Sequence, residues 1–228
     1  MDFRKSWLLF LLMLVANLVR CESQDDIVVL ELLKMGQVYE TNKCYKGAIR
    51  FYQRVLKRHP DTTLAPLLKF RIGNCFSEIG AYEEALSTYD EIVKKYPNSE
   101  YAPQAYLKEG WVLAKLGRYD ESLRIFDEFI KNYPNHEKLS YAFYMKARVL
   151  GEKWMKNMGK SPFKKDHEIL REVLIAYKNF IRRFPQDELT DQAFEELQDI
   201  IRYDERLTVA EVLLLYDFLN QTILIWSK

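Results

Sequence analysis

Three histidines and three cysteines are the side chains of this 228-residue sequence best suited to bind a metal, attack a substrate or move a proton near neutral pH. Their spacing does not gather them into a site. His59, His136 and His167 are widely separated, and no His-x-x-x-His or Cys-x-x-Cys pair occurs, although a metal site draws its ligands at such intervals. Phosphate chemistry asks for a Gly-rich loop, and a serine nucleophile for a Gly-x-Ser-x-Gly elbow; the sequence has neither. Asp166-His167-Glu168 could pass a proton, but an acidic run that opens a helix is ordinary complementation of the positive helix end. The expectation is no catalytic residue, no metal and no cofactor. Cys44 falls at a turn and Cys75 within a helical pattern, so both read as free thiols rather than a disulfide.

Cys21 offers a different chemistry. Arg4 and Lys5 precede an apolar run from Trp7 to Val19, which is shorter than the roughly 17–25 residues of a membrane span, so 1–20 reads as an export signal. Leu18-Val19-Arg20-Cys21 resembles the lipobox of bacterial lipoproteins, whose Cys is acylated and becomes the first mature residue. Arg20 stands where that motif carries Gly, Ala or Ser. Lipidation of Cys21 is the expectation; a plain cleaved signal and an uncleaved short anchor are the alternatives.

Prolines divide the rest of the chain. Arg58-His59-Pro60, Lys95-Tyr96-Pro97, Asn132-Tyr133-Pro134 and Arg183-Phe184-Pro185 lie 37, 37 and 51 residues apart. Proline cannot continue a helix, so each closes a unit of two helical patterns. Before Pro60 come Gly36, Tyr39, Ala48, Tyr52 and Val55; before Pro97, Gly73, Phe76, Ala85, Tyr89 and Ile92; before Pro134, Gly110, Leu113, Ser122, Phe126 and Phe129. These are the positions of the tetratricopeptide repeat. The glycines are expected where the two helices of a hairpin cross, with Ala48, Ala85 and Ser122 answering from the partner helix. A fourth unit holds Phe143, Ala147 and Leu150, then Val173, Tyr177 and Phe180, and its 14 extra residues are assigned to an inserted loop at 151–166, where Gly159, Ser161 and Pro162 stand. The predicted fold is an all-α tetratricopeptide solenoid of about five hairpins. After the export signal, one repeat domain spans 21–228, with repeats at about 29–60, 66–97, 103–134, 140–185 and a partial 191–228.

Formal net charge is +1, with 34 basic and 33 acidic residues mixed along the helices. That balance shows no basic patch and argues against nucleic acid as a partner.

Tyr141-Ala142-Phe143-Tyr144-Met145-Lys146-Ala147, the insertion after it, Ala176-Tyr177-Lys178-Asn179-Phe180, and Val209-Ala210-Glu211 together resemble the outer-membrane assembly lipoproteins called BamD, where Tyr-x-x-Tyr-Met-x-Gly precedes an irregular insertion. Two features depart from that family. One additional repeat precedes the Tyr-x-x-Tyr-Met segment, and the nearly all-apolar stretch after Glu211 replaces the last repeat, so either a partner is expected to cover it or the reading frame is broken there. The resemblance implies a scaffold on the periplasmic face of the outer membrane, held by a lipid anchor. Its implied partners are the β-barrel insertase, other assembly subunits and unfolded outer-membrane protein segments. First helices of stacked hairpins would line a groove, which nominates Leu33, Gln37, Phe70, Asn74, Ser77, Leu107, Trp111, Tyr141, Tyr144 and Arg148 as partner-binding residues. Other readings are a Tol-associated periplasmic coordinator, which should carry an N-terminal coiled coil for which the sequence leaves no room after Cys21, and a secretion-complex adaptor. A soluble periplasmic location accompanies the unlipidated alternative.

Overall fold

The computed structural model describes residues 27–158 and 163–203, the latter without the side chains of 163–167 and 203. The export signal with Cys21, the segment 159–162 and everything after Tyr203, including Val209-Ala210-Glu211, lie outside the described residues. Within them the chain is all-helical, with α1 (27–41), α2 (Tyr45–Arg58), α3 (Ala65–Glu78), α4 (Tyr82–Lys95), α5 (Tyr101–Lys115), α6 (Tyr119–Asn132), α7 (Leu139–Asn157), α8 (Phe163–Arg183) and α9 (Thr190–Tyr203).

The turns show why the period is 37. Each of the first three hairpins reverses through the same pair of backbone bonds. Lys43, Gly80 and Gly117 donate to Glu40, Ser77 and Ala114, and the following Cys44, Ala81 and Arg118 donate five residues back to Tyr39, Phe76 and Leu113 at 2.8–2.9 Å. This Schellman closure demands a left-handed residue, and φ is +74° at both Gly80 and Gly117. In the first hairpin Lys43 takes that conformation at φ 59°. Glu83 and Glu84 then open α4, Lys94 and Lys95 close it, and Asp120 and Glu121 open α6, each with the sign that suits the helix dipole. At the other end of each unit, His59, Tyr96, Tyr133 and Phe184 donate to the carbonyl four residues back before the proline ends the ladder.

The glycines do make room at the crossings, but for a ring rather than for the small residue of the partner helix. A Cβ on Gly73 would stand 2.6 Å from the Tyr89 ring, and one on Gly110 would stand 2.8 Å from that of Phe126. Ser122 instead donates its hydroxyl to the Gly110 carbonyl at 2.6 Å, fully buried.

Two compact units form, one of the described residues up to Ala105 and one from Tyr106 onward. In the first, α3 packs on α2 and α4 over Ala48, Tyr52, Val55, Leu68 and Ile72. In the second, α7 packs on α6 and α8, and α8 on α9, around Phe126, Phe129, Trp154, Val173 and Phe180.

Most of the loop expected at 151–166 is helix among the described residues. α7 runs on to Asn157 and α8 begins at Phe163, giving helices of 19 and 21 residues where the other hairpin helices have 14 or 15. Burial explains the extension. Gly151 is buried and Trp154 is 1% exposed, so the added turns of α7 carry core residues, and helix continues while it has an apolar face to bury.

Candidate functional site

Of the residues nominated in the first unit, most hold the hairpins together. The Tyr89 hydroxyl donates to Asn74 Oδ1 at 2.7 Å and lies 3.4 Å from Ser77 Oγ, which itself bonds the Gly73 carbonyl. Phe70 is half-buried, with its ring centroid 5.9 Å from that of Tyr89 and 5.7 Å from that of Tyr101. Leu33 packs half-buried against the core, and Gln37 is exposed. Across the same hairpins Tyr52 donates to Glu40 at 2.6 Å, and Arg71 reaches both at 3.1 and 3.3 Å. Burial, reinforced by Glu40, pushes the Tyr52 hydroxyl up to about 12.

In the second unit two nominations are corrected. Leu107 and Tyr144 are 4% and 2% exposed, so they are core and cannot meet a partner. α7 has neighbours on several sides: the Tyr144 ring packs 5.7 Å from Phe180 of α8, and its hydroxyl donates to Glu196 of α9 at 2.9 Å. Trp111 is half-buried, with the Lys108 and Lys115 ammonium groups 5.9 and 5.4 Å from the ring centroid. Tyr141 is half-buried against the core, and its hydroxyl titrates above its ordinary range because it is desolvated.

Arg148 leads to the feature the sequence did not nominate. Its guanidinium lies 5.7 Å from the Tyr144 ring centre, 3.7 Å from Glu196 and 3.8 Å from Glu152. Glu196 also accepts from Tyr177 at 2.8 Å and Gln192 at 3.1 Å. Burial and then the Glu196 charge raise Tyr177 far above a free phenol. Beside this network opens a cavity of about 480 Å³, lined by Arg148, Trp154, Met155, Met158, Tyr177 and Ile200 among others. Met155 and Met158 are 59% and 40% exposed, and the Trp154 indole N–H has no acceptor among the described residues. Reading 151–166 as loop hid Trp154, Met155 and Met158; as helix, their places at i, i+1 and i+4 would have marked an apolar face. Glu196 had no signal, because the two tyrosines it ties together lie 52 and 19 residues away.

Among the described residues no group of three or more His, Cys, Asp or Glu could hold a metal, and no helix is long and apolar enough to cross a membrane. Cys44 is exposed and Cys75 buried, both unbridged.

Stacked helix hairpins with an open, mostly apolar pocket define a tetratricopeptide-repeat protein of the protein-interaction kind, and residues 33–100 match a tetratricopeptide repeat family. The chain belongs to the YfiO family, described as outer membrane lipoprotein, which it matches over residues 70–214, more than half its length. No protein of curated function matches it. Among solved structures it is similar to YrrB, a repeat protein with an unusual peptide-binding site, at 16% identity and TM-score 0.55, over 90% of this chain and 91% of that one. A tetratricopeptide repeat protein from Parabacteroides merdae aligns at 12% identity and TM-score 0.49, over 86% and 79% of the two chains. MamA from Desulfovibrio magneticus aligns at 16% and 0.47, over 78% and 97%. At these identities the likeness concerns the fold.

Proposed function

We propose that the chain is a periplasm-facing, lipid-anchored scaffold of the outer-membrane β-barrel assembly machinery, binding the barrel insertase and segments of unfolded outer-membrane proteins. The observation that carries this reading is the family match across 70–214, a span that contains the whole α7–α9 cavity. The cavity volume lies in the ~300–1,000 Å³ range of binding pockets. Unbranched Met155 and Met158 can repack around differing apolar side chains, which suits a receptor for many barrel sequences. Arg148, Glu152 and Glu196 at its edge supply polar groups that fix the direction of a bound segment. Trp111 and Gln37 remain candidate contacts on their own surfaces.

The test is affinity purification of the membrane-extracted protein with identification of what accompanies it. The insertase should copurify with the wild type and be lost or much reduced in the Met155→Lys/Ile200→Lys variant. A wild type that brings down no insertase removes the assignment. Cys21→Ser should abolish incorporation of a fatty-acid analogue; a wild type that takes up none removes the anchor.

A further inference from the structure

Lysines and arginines that balance the acids over the whole chain do not balance them locally. Among the described helices α2 alone has no carboxylate, against five cations. Lys46, Arg50, Arg54 and Lys57 are exposed, and steps of four, four and three residues set them on one face, opposite the buried Ala48, Tyr52 and Val55. None of the four has a carboxylate partner among the described residues, and Arg54 has only the Phe51 ring, its centre 5.8 Å away.

The last described helix is the converse. α9 carries Asp191, Glu195, Glu196 and Asp199 against a single cation, Arg202. Glu196 turns inward to Tyr144 and Tyr177. Asp191, Glu195 and Asp199 are exposed at steps of four, opposite the buried Ala193, Leu197 and Ile201, and Glu188 is exposed in the turn just before the helix. Glu188, Asp191 and Glu195 have no basic partner among the described residues, and Asp199 has only the exposed Arg202, 3.4 Å away.

The two faces match in register as well as in sign. Each step of four advances about 6 Å along a helix, so Arg54, Arg50 and Lys46 of one copy can lie over Asp191, Glu195 and Asp199 of another with the helices antiparallel. Lys57, three residues past Arg54, then meets Glu188, three residues before Asp191. A parallel arrangement would bring Lys57 to Arg202 instead, and like charges across a contact oppose it. None of the large exposed apolar side chains lies on α2 or α9, so a partner is met there by charge and not by apolar burial.

We infer that α2 of one copy of this chain docks antiparallel on α9 of another, a head-to-tail contact held by the pairs Arg54–Asp191, Arg50–Glu195, Lys46–Asp199 and Lys57–Glu188. Because the two faces differ, each added copy leaves one of each open, and the contact builds rings or open chains. Exposed pairs are individually weak and screened by salt, so the assembly is reversible. It goes beyond the proposed scaffold role.

The full chain carrying Cys21→Ser, in which no acyl chain drives association, is followed by sedimentation velocity over a dilution series. Expected is association that rises with concentration at low salt and disperses near 1 M salt, where charges are felt over only about 3 Å. Arg50→Glu/Arg54→Glu and Asp191→Lys/Glu195→Lys should each weaken self-association roughly tenfold or more, since exposed pairs worth up to about fivefold apiece become repulsions. Circular dichroism should not change, because all four side chains are exposed. Mixed in equal amounts, the two variants should associate again, since each supplies the sign the other lacks. A parent that stays monomeric across the series at low salt overturns the inference. So does association that neither variant weakens, or a pair of weakened variants that fails to recover on mixing. Should Arg50→Glu/Arg54→Glu lose binding to an oligonucleotide or to phosphatidylglycerol vesicles while the parent is a monomer, those cations serve another anion and the contact between copies falls. Copurification of the insertase reads the scaffold assignment separately.

Discussion

Single positions in this chain are governed by what a Cβ would meet or by the φ it must adopt. Lys43 occupies the left-handed turn position that Gly80 and Gly117 fill in the next two repeats. A non-glycine residue there costs about 1–2 kcal/mol, and glycine returns about 0.4–1 kcal/mol of that through the unfolded chain. Lys43→Gly should therefore raise stability by roughly 0.5–1 kcal/mol in urea unfolding; no gain would mean the Lys side chain compensates elsewhere. Gly73→Leu should act in the opposite direction. Its first carbon already falls 2.6 Å from the Tyr89 ring, and overpacking of this kind costs about 1–3 kcal/mol. A thermal midpoint that does not move would place the hairpin crossing elsewhere. Tyr144→Ala removes a buried ring and should cost about 3–5 kcal/mol, whereas Trp111→Ala, at a half-buried position, should spare folding and report on partner binding alone.

Between elements, the ties that span hairpins are carboxylates with several donors. Glu196 joins α7, α8 and α9 through Tyr144 and Tyr177. Glu196→Ala should orphan both hydroxyls at about 1–3 kcal/mol each, with the loss seen in α9 by hydrogen exchange before it is seen in α7. Glu91 does the same in the first unit, accepting from Lys69 and Lys95 at 2.6 Å each. Partial burial pushes its carboxyl up, yet the two lysines together hold it below its ordinary value. A depressed folded pKa stabilises the fold above the unfolded carboxylate value, near 4.3, and that contribution is lost as pH falls through the folded value. Glu91→Gln should accordingly flatten the acid limb of stability against pH; an unaltered limb would show that the pair is fully screened.

Over the whole molecule the titrating groups that matter most are phenols. Burial is the main reason that Tyr52, Tyr89, Tyr144 and Tyr177 are each raised above the ordinary phenol value, Tyr52 to about 12; burial lifts the Cys75 thiol to about 12 as well. A raised folded pKa contributes stability in full below the unfolded value and loses it as pH rises through the folded one. Helicity should therefore collapse on the alkaline side, starting above the ordinary phenol range near pH 10, and Tyr89→Phe or Tyr177→Phe should shift the transition to higher pH. Identical alkaline transitions in wild type and variants would assign the collapse to other groups.

Fold was legible because a tetratricopeptide unit is a local object. The recurring Pro, the Gly80 and Gly117 turns, and the Gly73–Tyr89 and Gly110–Phe126 pairs all fall inside one 37-residue repeat, so local pattern alone determined hairpin, register and family resemblance. The tertiary structure decided what depends on distance in sequence. Gly159, Ser161 and Pro162 read as loop chemistry, yet α7 continues as far as Asn157 because α8 and α9 give Gly151 and Trp154 a core to enter. Tyr144 looked like a groove aromatic, and only the arrival of Glu196, 52 residues on, turns its hydroxyl inward. Balanced composition concealed the cations of α2, since charges are summed along a chain but felt across a surface. Helical period determines which residues share a face; which face is covered depends on elements that arrive later in the chain, and that only the packed structure decides.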